Sequence, residues 1–92
     1  MKLREGFAAA LRETRKQQEL TQEDFSNVSS RTYLSTLERG MKSPTLDKLE
    51  EIASVLGVHP VTLLTIAYCK IEKADAETFC KRILSETEKF SV

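Results

Sequence analysis

Residues 29–40 read SSRTYLSTLERG. Leu34 and Leu37 lie three apart, the spacing of an inward helical face, and Gly40 closes the stretch. The other face carries Arg31, Thr32, Tyr33, Ser35 and Thr36. Thr, Ser and Tyr are mediocre helix formers, and a helix that only faced water would carry Lys, Glu and Gln there. Short donors and acceptors beside an Arg suit another task, hydrogen bonding to base edges in the major groove of duplex DNA. Arg31, Thr32 and Thr36 are therefore the candidate base-contacting residues, against the plainer reading of a solvated face.

A face of this kind needs a scaffold to hold it, and the apolar spacing supplies one. Leu3, Phe7, Ala10, Leu11 and Thr14 predict a first helix over about residues 2–18. Thr21 caps a second helix, Asp24 completes a Thr-x-x-Asp capping box, and Phe25 and Val28 point inward. Ser30 caps the third helix, which runs to Arg39. Thr45 or Ser43 opens a fourth, whose Leu46, Leu49, Ile52, Ala53 and Leu56 form one apolar stripe ended by Gly57. His59 caps a fifth with Pro60 at its first position, and Val61, Leu64 and Tyr68 continue the apolar side. From about Lys73 a last helix places Ala76, Phe79, Cys80, Ile83, Leu84 and Thr87 on one face and charges on the other. Period-2 alternation is absent, so the expected class is all-α.

The second and third helices are joined within a few residues. A helix-turn-helix reader has that geometry: one helix crosses the phosphate backbone and the next projects into the major groove. Gln22, at the start of the second helix, sits where free N–H groups favour a phosphate.

The 92 residues suit one domain with a modest core. Composition is ordinary for a globular chain, 40% hydrophobic and 30% charged. No run of about 18 apolar residues marks a membrane span. The N-terminus carries charges through its apolar positions, unlike a signal peptide, so the expected location is the cytoplasm. Fourteen basic and 14 acidic residues give zero net charge, which argues against a broad polyelectrolyte grip but not against a local patch. Cys69 and Cys80 fit no metal-ligand spacing and read as small buried apolar residues. His59 is the only His, read as a cap. No Ser/His/Asp constellation or Gly-rich phosphate loop can be assembled, so neither enzymatic activity, nor a metal, nor a cofactor is expected.

The stretches LRETRKQQELTQEDF, YLSTLERGMKSPTLDKLEEIASVLGV and HPVTLL carry a longer pattern, most specifically LERG and SP followed by L..L..IA..LGV. From Leu11 to Leu64 the chain resembles the phage-repressor family of helix-turn-helix regulators, the Cro and lambda-repressor-like or XRE group. The resemblance implies a five-helix DNA-binding domain, assigned to residues 1–68; it stops before the last helix, and residues 69–92 read as an extra helical extension for dimerisation. It implies that Gln22 grips a phosphate and that Arg31, Thr32 and Thr36 read bases, flanked by Ser30 and Tyr33 on the backbone. Ser30 has the plainer role of cap, and Tyr33 that of half-buried packing. Arg15 and Glu38 would form a structural ion pair, and Arg39, the Met41 N–H, Lys42 and Ser43 would meet the DNA backbone. One departure stands out: between Gln22 and LERG the chain is about two residues shorter than the family pattern, with FSNVSS in place of a turn containing Gly.

Two function classes follow. The first is a homodimeric, sequence-specific regulator of transcription, a repressor in preference to an activator, on a palindromic operator. Its dimer surface would be the fifth helix and the last, the latter through Phe79, Ile83 and Leu84 if it does not fold onto its own core. The second is a protein-interaction module that docks a toxin or polymerase subunit on the same scaffold, an alternative that zero net charge keeps open.

Overall fold

A computed structural model describes residues 1–90. They form α1 (Leu3–Gln17), a 3-10 segment (Gln22–Phe25), α2 (Arg31–Glu38), α3 (Leu46–Leu56), α4 (Pro60–Glu72) and α5 (Ala76–Lys89). This is an all-helical fold, as the periodicity predicts.

The caps follow the sequence closely. Asp24 accepts from both the N–H and the hydroxyl of Thr21, at 2.7 and 3.1 Å. Ser30 Oγ accepts from the Tyr33 N–H at 3.1 Å, Thr45 Oγ1 from the Lys48 N–H at 3.1 Å, and His59 Nδ1 from the Val61 N–H at 3.0 Å. Each bond satisfies an N–H that the helix itself leaves open. The turn after α2 is made at Gly40, whose φ of 72° admits no side chain cheaply. That turn lets the Met41 N–H return to the Thr36 carbonyl at 3.2 Å.

Phe25, Leu11, Leu34, Leu37, Ile52, Leu56 and Leu63 are fully buried and draw five helical elements onto one core. α1 lies directly on α4. At Gly6 the two approach so closely that a Cβ there would stand 2.6 Å from Ile71 Cγ1.

Four details differ from the sequence reading. The second helix is only the four-residue 3-10 segment, because the Val28 and Ser29 N–H groups both turn back to the Phe25 carbonyl. Leu46 is 80% exposed and not in the α3 stripe: it is the first helical residue, and helical side chains lean towards the N-terminus, here past the end of the core. The last helix begins at Ala76, not near Lys73. α4 runs on to Glu72, Lys73 turns left-handed at φ 54°, and Asp75 caps α5. The 68/69 division therefore falls inside α4. Cys80 is exposed and Cys69 half-buried, both as free thiols.

Candidate nucleic-acid interface

The centre of the site is a buried ion pair. Arg15 Nε and Nη2 donate to Glu38 Oε2 and Oε1 at 2.6 and 2.9 Å, a bidentate fork, and Arg15 Nη1 donates to the Leu20 carbonyl at 2.9 Å. Arg15 and Glu38 side chains are only 11% and 5% exposed. Bonding to Glu38 raises the Arg15 guanidinium above its ordinary value, against the opposing effect of burial. Arg12 adds a bond from Nη1 to the Glu38 carbonyl at 2.7 Å. The Arg15–Glu38 contact that the resemblance implies is thus present, with Arg12 as a further donor.

Gln22 joins this network. Its Nε2 donates to Glu38 Oε1 at 3.2 Å, so the side chain that opens the 3-10 segment is held by the last residue of α2. The Gln22 side chain is thereby tied to α2.

Beside Gln22, α2 presents Arg31, Thr32, Ser35 and Arg39 around an open polar concavity of about 390 Å³. Four of the residues expected to meet DNA are brought together there: Gln22, Arg31, Thr32 and Arg39. Ser35 is an addition. Residues 31, 35 and 39 succeed one another at i, i+4 and i+8, so helical spacing alone would have placed Ser35 beneath Arg31. Thr36 lies outside the concavity, and its hydroxyl donates to the Thr32 carbonyl at 2.8 Å. Tyr33 is half-buried and packs on the core. Ser30 is the α2 cap. Lys42 is exposed in the following loop, and Met41 is 57% exposed. Ser43 lines a different hollow, an apolar one shared with Leu3, Pro44 and Leu46.

The helix-turn-helix family model matches residues 11–63, more than half of the chain and all of the elements just described from mid-α1 to early α4. The chain belongs to the XRE-type helix-turn-helix family of transcriptional regulators. It is similar to the cryptic phage CTXphi transcriptional repressor RstR of Vibrio cholerae, 32% identical over 90 residues that cover 94% of this chain and 80% of that one. It is also similar to the control protein C.BamHI of Bacillus amyloliquefaciens, 46% identical over 46 residues, 47% of this chain and 57% of the relative. Among solved structures, the clp gene regulator ClgR of Corynebacterium glutamicum matches at a TM-score of 0.74 and 29% identity, over 95% of each chain. Members of the XRE-type family are DNA-binding regulators and not enzymes. The family match includes the 3-10 segment and α2, whose Gln22, Arg31, Thr32 and Ser35 line the polar concavity.

A second surface lies away from it. α4 and α5 enclose an apolar groove of about 460 Å³, with Val61, Leu64 and Tyr68 on one wall and Phe79, Ile83 and Leu84 on the other. Phe79 is 8% exposed and stacks on Tyr68 of its own chain. Ile83 and Leu84 remain 40% and 58% exposed. Among the described residues no single helix is long and apolar enough to cross a membrane, and no cluster of three His, Cys, Asp or Glu could hold a metal.

Proposed function

We propose that this regulator is a repressor that binds a palindromic operator as a homodimer. The observation that carries the reading is the concavity in which Gln22, Arg31, Thr32, Ser35 and Arg39 converge beside the Arg15–Glu38 pair. Gln22, Arg39 and Lys42 act on phosphates and fix the register. Arg31 reads a guanine, because a guanidinium reaches its O6 and N7 together. Thr32, Ser35 and Thr36 supply hydroxyls to neighbouring base edges, Tyr33 and Ser30 flank them, and Ser43 and the Met41 N–H meet the backbone beyond.

One such domain touches few base pairs, and two-fold pairing adds a half-site about 34 Å along the duplex. The apolar α4–α5 groove supports that pairing: exposed Ile83 and Leu84 need cover, and a two-fold axis makes one patch its own complement. The near full-length likeness to a phage repressor supports repression by occupancy of a promoter in the cytoplasm.

Selection of bound sites from a random duplex pool, with light scattering on the complex, tests this. The expected outcome is a palindrome and two chains per duplex. A bound pool without consensus overturns sequence reading and returns the chain to the protein-docking class, and one chain per duplex overturns the homodimer.

A further inference from the structure

α2 is anchored unevenly. Its inward residues Leu34, Leu37 and Glu38 are buried, and Tyr33 is half-buried against the core. Arg31 and Thr32, at its first turn, are exposed and pack on nothing in the core. Besides the packing of Tyr33 and Leu34, what holds that first turn is the chain segment before it. Residues 26–30 hold no Gly and no regular element, and their N–H groups at Val28 and Ser29 are spent on the Phe25 carbonyl at 3.0 and 2.9 Å.

One side chain from another helix reaches this segment. Lys48 Nζ, from the first turn of α3, donates to the Val28 carbonyl. Among the described residues it is the only side-chain hydrogen bond that ties residues 26–30 to a different helix. Lys48 is itself held: Thr45 caps its N–H, Glu51 pairs with its ammonium at 3.1 Å, and its side chain is 27% exposed. The turn that Lys48 reaches, FSNVSS, holds no Gly.

We infer that Lys48 is a positioning residue for base reading: through the Val28 carbonyl it sets the angle at which the first turn of α2 leaves the core, and so where Arg31 and Thr32 stand. This rests on the base-reading role proposed above. A charge-assisted bond to a half-buried carbonyl is strong enough to hold a short helix end, and losing it leaves the carbonyl without a protein partner.

The test uses the full chain, the tightest duplex from a random-pool selection, and a shuffled duplex of the same composition. Lys48→Met should weaken the selected duplex about tenfold, the equivalent of one charged hydrogen bond, and leave the shuffled duplex and the salt dependence unchanged. Lys48→Arg, which retains a charged donor, should restore most of the discrimination. Equal weakening on both duplexes with a shallower salt slope would make Lys48 a phosphate contact and overturn the inference. So would unchanged discrimination. If Lys48→Met loses helicity, Lys48→Ala, which also lacks a donor, is put to the same comparison, and discrimination as in the parent chain again overturns it. A parent chain that does not tell the two duplexes apart removes base reading itself, a failure distinct from that of Lys48 alone.

Discussion

The rings of Tyr68 and Phe79 stack with centroids 6.1 Å apart and planes 12° from parallel. This contact, with Glu72 to Arg82 at 3.2 Å beside it, fastens α5 to α4 near their junction. The rest of α5 diverges, which opens the groove and leaves Ile83 and Leu84 without cover. Phe79 is thus spent within its own chain before any partner arrives, and the free part of the expected interface is Ile83 and Leu84.

Ile83→Glu should therefore separate subunits without unfolding either. Two carboxylates brought together in an apolar interface cost several kcal/mol, which the dimer avoids by opening. Sedimentation should give half the parent mass with full helicity, and operator binding should weaken to that of one half-site. Phe79→Ala, by contrast, should lower thermal stability through loss of the Tyr68 stack. An Ile83→Glu variant of parent mass and parent affinity would remove this face as the interface.

Arg15→Ala should destabilise by about 3–5 kcal/mol, because it leaves Glu38 charged and buried without its fork. Replacing both Arg15 and Glu38 by Met should recover most of that loss, since paired apolar replacements of buried ion pairs are often neutral. DNA affinity should stay low in the double variant, because Gln22 has lost the carboxylate that holds it. Denaturant unfolding and mobility shift separate the two effects. Recovery of both together would mean that the pair serves stability alone.

Asp75 gives α5 an acid dependence. It accepts the Thr78 N–H at 2.8 Å and the Thr78 hydroxyl at 3.0 Å. Those bonds hold its carboxyl below the ordinary 3.8. The folded state thus favours the charged form, so the contribution is complete above the ordinary value and is lost as pH falls through the lower folded value. Circular dichroism should show α5 fraying at that acid edge in the parent chain. Asp75→Asn, which caps without titrating, should lack this step. An identical acid profile in both would contradict the assignment.

Much of this was legible because it is local. Thr21 with Asp24, Ser30, Thr45, His59 with Pro60, and Gly57 each act within four residues, and each cap or stop stands where the sequence places it. The Arg15–Glu38 pair came from resemblance and not from spacing, since 23 residues separate them. What was not legible depends on tertiary placement. Periodicity put Leu46 on the α3 stripe, but its turn lies beyond the core's edge. It gave α5 one apolar face, but only packing divides Phe79 from Ile83 and Leu84. Nothing in the sequence singles out Lys48, because its partner is a main-chain carbonyl 20 residues away.

The central claim is that the outer face of α2 reads bases, and the most direct measurement is a second random-duplex selection with Arg31→Ala. A bidentate contact from Arg31 is worth roughly 1–3 kcal/mol of discrimination in each half-site. The account predicts the same two-fold arrangement with one symmetric guanine position relaxed to any base, and an unchanged thermal midpoint. A consensus identical to that of the parent chain, guanines included, would contradict it.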